Sequence, residues 1–283
     1  MIVKHVIAFL FAISISGCGL FISSATRDMT DNLTYAILNN NDLVTVKEGG
    51  PAYLLLIDGF VHSNPKNDRI LLSAANLYNS YTALYVTDAE RAEKMTSKAL
   101  KYALDALCLH KADACMLKDR SFESFTRVIA EIGYKDLRHF YILGSAWAGW
   151  IQAHRKDWNA IAEISRVEAI MERIVEIDDS YNEGGAHLYL GILYTLIPSA
   201  LGGTPEKGRK HFELAIKFSG GKNLMAKVSY ARQYARLIFD RKLHDRLLRE
   251  VLDAEPDVAG YALINNMAQK EARELLNTSD EYF

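Results

Sequence analysis

Residues 186–218 read AHLYLGILYTLIPSALGGTPEKGRKHFELAIKF and predict two helices that fold back on each other around a Gly-rich elbow. The first helix places its key residues at the adjacent Leu190 and Gly191 and, three positions on, at Tyr194. The second repeats steps of four and three residues, at Gly208, Phe212 and Ala215. Small residues let two helix backbones approach, and an aromatic ring fills the groove between them. The stretch is therefore typical of a closely packed helix pair.

The pattern also matches a known repeat. L-G-x-x-Y is the core of a tetratricopeptide first helix, and conservative copies recur along the chain. Their small-residue positions are Ala75, Gly144, Gly191 and Ala231, which are 69, 47 and 40 residues apart. A regular array would repeat every ~34 residues, and the elbow PSALGGT at 198–204 is longer than an ordinary turn. The prediction is an all-α, tetratricopeptide-like helix-pair solenoid with insertions, which is a scaffold for binding.

The spacing of apolar residues predicts the individual helices. They are expected near 28–39, at 51–62, at 68–85, near 158–177 and at about 259–276. Pro51 is expected in the first turn of its helix, where a missing N–H costs nothing. The segment from Thr87 to Glu90 has the form of a capping box that opens the next helix. We expect the C-terminal Phe283 to pack back on the body.

The first residues have the pattern of a bacterial lipoprotein signal. An apolar run from Val6 to Ile15 is too short to span a bilayer and is followed by Ser16, Gly17 and Cys18. We predict cleavage after residue 17 and lipidation of Cys18, which gives a stable anchor because two or more acyl chains are attached. An ordinary signal peptide with a chance Cys is the alternative. Gly19 favours the outer over the inner membrane.

The predicted organisation has three parts. Residues 1–17 are a signal peptide, 18–27 a lipidated tether and 28–283 a single helical domain. Removal of the signal takes away Lys4, so the 33 basic residues become 32 against 35 acidic ones, a formal charge of −3. This near balance argues against a nucleic-acid partner, which needs a concentrated basic surface. We expect a periplasm-facing protein held at the membrane by its lipid.

Two cysteines remain besides Cys18. A disulfide across CLHKADAC, from Cys108 to Cys115, is possible outside the cytoplasm. Cys108 as a small core residue at a helix end is the equal alternative. His110, Asp113 and Cys115 resemble a metal cluster, but their spacing matches no standard zinc pattern. We therefore expect no metal.

Aromatic residues concentrate on the predicted first helices, which line the concave side of such a stack. Tyr78, Trp147 and Tyr194 occupy the packing position of the repeat and are expected between helices. Four other aromatic residues lie off that position: Tyr81, Tyr85, Trp150 and Tyr189. Each of them could equally well line a cavity or pack between helices. Tyr and Trp combine apolar bulk with a polar tip, which suits an amphipathic ligand.

No catalytic motif is present. GSAWAG at 144–149 lacks the G-x-S-x-G elbow, and H-E-x-x-H does not occur. Gly220 to Asn223 fails the P-loop pattern, and no carboxylate pair lies in an apolar setting. The basic run at 207–211 is expected to be a solvated face, with contact to an acidic partner as the alternative. We expect a protein that is not an enzyme and has no cofactor.

Several segments together resemble the T component of tripartite ATP-independent periplasmic (TRAP) transporters, a tetratricopeptide-containing lipoprotein family. The resemblance rests most specifically on PSALGGTPEKGRKHFELAI at 198–216, supported by GGAHLYLG at 184–191 and VSYARQYA at 228–235. With the lipid signal and the segments at 157–181, 247–258 and 263–276, it covers nearly the whole mature chain. One departure is Gly208, where such helices prefer Ala, and we expect it only to loosen packing.

The resemblance implies an all-α homotrimer with a pore or cavity through each subunit. It also implies partnership with the periplasmic substrate-binding P subunit, and transfer of a hydrophobic or carboxylate ligand. The elbow residues would then shape the cavity mouth: Gly184, Gly185, Leu201, Gly202 and Gly203. A helix C-cap and turn is the structural alternative for Gly202 and Gly203. Two other functions stay open, an envelope or outer-membrane assembly scaffold and an enzyme on a helical scaffold.

Overall fold

The computed structural model describes residues 32–283, and within that range the chain is all-α with no strand. A helical stretch over 32–38 comes first. The helices that follow are α1 Leu43–Ser63, α2 Asp68–Tyr85, α3 Ala89–His110, α4 Phe122–Ala130, α5 Leu137–Ala153, α6 Trp158–Ala162, α7 Ile164–Ile177, α8 Tyr181–Tyr194, α9 Pro205–Phe218, α10 Leu224–Ser229, α11 Arg241–Asp253, α12 Ala262–Asn277 and α13 Ser279–Tyr282. A π-helical stretch, Tyr230–Ala235, continues α10. The predicted fold class is confirmed.

Helices that follow each other in the chain pack against each other. The most extensive contacts are those of α2 with α3, of α8 with α9 and of α3 with α5, and α5 also packs on α7 and α11 on α12. The pairs are joined in turn, because α3 packs on α5 and α7 packs on α8. The tetratricopeptide-like solenoid geometry stays a prediction. No helix in the range 32–283 has both the length and the apolar character needed to cross a membrane.

Two large apolar clusters make up most of the core. One runs from α1 to α8 and includes the fully buried rings of Phe125, Phe140 and Trp147. The other lies between α9 and α12 around Phe212 and Leu248. Phe212 lies where the clusters meet, because its ring also contacts the backbone of α8 at Gly191. The predicted packing role of Phe212 therefore agrees with its place in the fold.

The two ends of the described chain meet. The Asn39 side-chain oxygen accepts a hydrogen bond from the Gly260 N–H at 2.7 Å, and the Asn41 amide donates to Asp257 at 2.8 Å. The Tyr261 hydroxyl donates to the Glu183 carboxylate, which links the start of α8 to the segment before α12. Phe283 packs on His244, with ring centroids 5.1 Å apart. The segment before α1 is thus hydrogen-bonded to the segment before α12.

Helix α1 differs from the prediction. It begins at Leu43, where the Asp42 carboxylate accepts from the first free N–H groups, so Pro51 lies inside the helix. Proline cannot donate to the carbonyl four residues earlier. That carbonyl, on Lys47, instead accepts the hydroxyl of Tyr81 at 3.0 Å. A side chain from α2 therefore replaces the missing backbone hydrogen bond, and the prediction of Pro51 in the first turn is wrong.

The structure decides three smaller features, two of which differ from the prediction. The side chain that caps α3 is that of Asp88, one residue after the predicted Thr87. Gly208 does not loosen packing, since a Cβ there would lie 2.9 Å from the Gly191 carbonyl oxygen. Cys108 and Cys115 form a disulfide. The predicted signal peptide, the lipidation site Cys18 and the tether at 18–27 lie outside the described residues.

Candidate ligand cavity

A partly open cavity of about 420 Å³ lies between these contacting parts of the chain. Its walls come from distant parts of the chain, namely the stretch at 32–38 and helices α1, α2, α5, α8 and α12. This volume lies within the usual range for small-molecule sites. The contacts between the two ends of the chain therefore build a site that no single helix pair could form.

The cavity is mainly apolar. Helix α1 supplies Tyr53, Leu56, Ile57 and Phe60, and the opposite parts of the chain supply Leu33, Ile37, Leu263 and Ile264. Helix α1 can present this surface because Pro51, Gly50 and Tyr81 fix it against α2. The Tyr81 ring lies so close to Gly50 that any side chain at that position would collide with it. The apolar wall would favour the burial of a hydrocarbon group.

Helix α2 gives the cavity a polar stripe. Ser73, Asn76 and Ser80 recur at intervals of three and four residues, so they lie on one face of the helix, and all three line the cavity. Asn79 also lines it and donates its amide to the Ser145 carbonyl at 3.2 Å. The site therefore combines an apolar wall with a row of hydroxyl and amide groups.

Tyr189 is the one predicted aromatic residue that lines the cavity. It belongs to α8 and packs edge-on against Tyr141, with ring centroids 6.1 Å apart. Burial raises the pKa of the Tyr189 hydroxyl, and a hydrogen bond to the Ser145 side chain opposes that rise. The hydroxyl is therefore neutral at physiological pH and acts as a hydrogen-bonding group. Whether it contacts a ligand stays a prediction.

The sequence model of the TRAP transporter T-component family matches residues 39–283 of this chain. The chain belongs to that family. An uncharacterized protein of Treponema pallidum (strain Nichols) is 22% identical to it over 284 residues, which cover 89% of this chain and 84% of that protein. The suspected family is therefore confirmed, and with it a role as a transporter component.

The predicted elbow residues of this T-component lie in two separate places. Gly184 ends a short left-handed turn with Asn182 and Glu183, at φ +78°, and packs against Phe218 of α9. Gly185 contacts the Tyr141 hydroxyl. In contrast, the Leu201 side chain is 77% exposed, and Gly202 and Gly203 end the turn after it. The five are absent from the lining of the cavity described here, and a role at a cavity mouth stays a prediction.

The other three predicted aromatic residues also lie outside that lining. Tyr81 packs on Gly50 and hydrogen-bonds to Lys47, and Tyr85 packs on Tyr81 with ring centroids 5.5 Å apart. Trp150 stacks on His154 and lies under the Lys118 ammonium group, 3.9 Å from the ring centroid. These contacts fit the packing alternative, and a role of the three residues at a ligand site stays a prediction.

Arg138 is a lining residue that the sequence did not reveal. It lies in the first turn of α5 and, among residues 32–283, is the only charged residue that lines the cavity. Its position in the sequence carries no motif, and only the closure of the chain brings it beside α1 and α12. The three- and four-residue spacing of Ser73, Asn76 and Ser80 is visible in the sequence and indicates a polar face on α2. The sequence does not show that this face lines a cavity.

A cluster of Asp68, His110 and His139 could in principle hold a metal ion. The His139 Nε2 lies 3.0 Å from the Asp68 carboxylate, and the His110 Nε2 lies 2.8 Å from that of Asp136. The two imidazole rings are stacked with an angle of 12° between their planes. Lone pairs in parallel rings do not converge on one ion, so hydrogen bonding accounts better for the arrangement. His110, Asp113 and Cys115 were the three residues that resembled a metal cluster in the sequence. Of these, Cys115 is bonded to Cys108 in a disulfide.

Proposed function

We propose that this T-component is a lipid-anchored, non-enzymatic scaffold that docks the periplasmic P subunit of a TRAP transporter and holds a ligand in its cavity. The family match supports a place in the transporter. The cavity of about 420 Å³, walled by helices from both ends of the chain, is the observation that carries the ligand-binding role. Assembly as a homotrimer belongs to the same proposal.

The docking role is tested by capture of the P subunit. The tagged protein is crosslinked in its host, and the proteins that copurify are identified by mass spectrometry. We expect a periplasmic substrate-binding protein, and the purified pair should then associate directly. Recovery of outer-membrane barrel proteins without any substrate-binding protein would contradict docking and favour the envelope-assembly scaffold.

The cavity role is tested separately by filling the space. Ala83 lines the cavity, so Ala83→Trp should abolish the binding of an apolar fluorescent probe. Ala162, which is exposed at the end of α6, provides the matched control as Ala162→Trp. Equal probe binding by both variants would contradict the cavity assignment. Retained capture of the P subunit by Ala83→Trp would show that docking does not need an open cavity.

The anchor is tested at Cys18. The apolar run and the small residues before Cys18 support lipidation, and Gly19 after it supports an outer-membrane location on the periplasmic side. Cys18→Ser should move the protein from the membrane fraction to the soluble fraction, and loss of metabolic labelling with a fatty acid should accompany the move. Unchanged membrane fractionation of Cys18→Ser would contradict the lipid anchor.

A further inference from the structure

We propose that the turn between α8 and α9, residues 196–202, binds the surface of a phospholipid bilayer that carries anionic head groups. Every residue of this segment, called the apolar turn below, is exposed, and none of them is charged. Leu196, Ile197 and Leu201 have 47, 51 and 77% of their surface exposed. Apolar side chains that lie exposed next to each other are typical of a surface that binds a protein or a membrane.

The backbone of the apolar turn is suited to contact with lipid. Polar backbone groups are costly in an apolar medium unless they are hydrogen-bonded. Pro198 has no N–H, and its carbonyl accepts from the N–H groups of Leu201 at 2.9 Å and Gly203 at 3.1 Å. The turn is also tightly closed, since a Cβ on Gly203 would lie 1.8 Å from the Ile197 carbonyl oxygen. It therefore presents its apolar side chains on a compact backbone that is partly hydrogen-bonded to itself.

Two lysines beside the apolar turn fit the phosphate groups of anionic lipids. Lys207 and Lys210 follow the turn in α9 and are exposed, and within residues 32–283 neither forms an ion pair with a carboxylate. The Lys207 ammonium group lies over the ring of Tyr194, 4.8 Å from its centroid. Glu206, which precedes Lys207, is paired with Arg209 at 2.9 Å. Unpaired positive charge thus lies next to exposed apolar surface, and a bilayer with anionic head groups complements both.

The anchor proposed at Cys18 leaves enough chain for the apolar turn to reach the same membrane. From Cys18 to residue 32 there are 14 residue steps, which span at most about 50 Å when fully extended. The contacts between the two ends of the chain lie beside the start of α8, and the apolar turn follows the end of that helix. A helix of this length measures about 20 Å. The tether is therefore longer than the distance that α8 adds.

The apolar turn would orient the anchored protein and would not replace its anchor. Three apolar side chains bury less hydrocarbon than one myristoyl chain, whose membrane binding is already marginal and reversible. Unanchored protein should therefore leave the membrane during fractionation but bind vesicles at equilibrium when lipid is abundant. The anchor keeps the turn at a high effective concentration near the bilayer. Binding by the turn then fixes which face of the protein points away from the membrane.

The apolar contact is tested with the mature protein, residues 18–283, carrying Cys18→Ser, so that no acyl chain contributes. Energy transfer from its tryptophans to dansyl-labelled vesicles measures binding without separation. Vesicles of phosphatidylcholine with phosphatidylglycerol should bind the protein more tightly than phosphatidylcholine alone. Leu201→Ser should weaken that binding about 10-fold, because one leucine no longer enters the apolar layer. Leu55→Ser is the matched control in α1, 74% exposed in the parent, and should bind as the parent does.

The charged contact and the depth of the turn are tested in the same background. Lys210→Gln should weaken binding to the phosphatidylglycerol vesicles about 5-fold and leave binding to phosphatidylcholine unchanged. Lys66→Gln, an equal change at an exposed lysine before α2, is the control. A tryptophan introduced by Leu201→Trp should be quenched by lipids with brominated acyl chains, and one introduced by Leu55→Trp should not.

Three results would overturn the proposal. One is a parent protein that binds neither kind of vesicle or does not prefer the anionic one. Another is Leu201→Ser that binds vesicles as the parent does, or Leu55→Ser that loses as much. The third is Leu201→Ser that keeps vesicle binding but no longer captures the P subunit, which would assign the apolar turn to a protein partner. Because every protein in this test lacks the anchor, failure of the proposed lipidation at Cys18 is detected separately by fractionation.

Discussion

The α8–α9 pair and the α1–α2 pair use small residues in opposite ways. In α8–α9, Gly191 and Gly208 bring the two backbones into contact, and the ring of Phe212 covers them. In α1–α2, Gly50 receives the Tyr81 ring, but Ser73, Ser80 and Ala83 face an open cavity. The first arrangement stabilises the fold, and the second leaves room for a ligand. One all-α chain thus contains a closely packed region and a region with space.

The largest expected effect is at Phe212, which is fully buried between the two core clusters. Phe212→Ala should lower the free energy of unfolding by about 3–5 kcal/mol, because a buried ring is replaced by a void. Phe60→Ala is the comparison in the cavity wall, where the half-buried ring already borders empty space, and should cost about 1 kcal/mol. Urea denaturation measures both, and equal losses would refute the contrast between the two regions.

The next effect is at Gly191. A Cβ there would lie 2.8 Å from the Phe212 ring, so Gly191→Ala should destabilise the protein by about 1–3 kcal/mol through overpacking. Gly59 in α1 has open space around it. Gly59→Ala should therefore stabilise the protein by about 0.5–1 kcal/mol, since Ala favours the helix. Thermal or urea unfolding gives the sign of each change, and the same sign at both positions would count against close packing at Gly191.

Acid should weaken the closely packed region through a pair of histidines. The Nδ1 atoms of His187 and His211 lie 2.8 Å apart, so one ring donates a hydrogen bond to the other. Burial lowers the pKa of both rings. Positive charge on the neighbouring His187 and Lys207 lowers the pKa of His211 further, to about 4. Asp179 beside His187 opposes the effect there.

The direction in which pH changes the free energy of unfolding follows from how many protons each state binds. Between the ordinary pKa of 6.5 and about 4, the unfolded chain binds more protons at His211 than the folded protein does. The free energy of unfolding should therefore fall as the pH drops through that window, with His211 contributing about 1–2 kcal/mol. His211→Gln should reduce the slope measured by urea denaturation at several pH values, and His62→Gln, an exposed control, should not. An unchanged slope in His211→Gln would contradict this assignment.

These two regions also differ in how well the sequence predicts them. The α8–α9 pair follows from local spacing, because Gly191 and Phe212 act within one helix pair. The cavity does not. Arg138 and Ile264 become neighbours of α1 only when the two ends of the chain meet, and no local pattern encodes that contact. Tyr189 was detected because its residue type suits a cavity, whereas Leu201 lies on an exposed turn that spacing alone could not place.

The smallest effect concerns how α1 is held beside the cavity. Tyr81→Phe removes the hydrogen bond to the Lys47 carbonyl and should cost about 1 kcal/mol, because Pro51 leaves that carbonyl without a backbone donor. In a Pro51→Ala background the backbone N–H of residue 51 can donate to Lys47. The cost of Tyr81→Phe should then shrink, and a double-mutant cycle in urea isolates the coupling. An equal cost in both backgrounds would mean that Tyr81 acts only through its packing on Gly50, and that α1 does not need the hydroxyl to accommodate its proline.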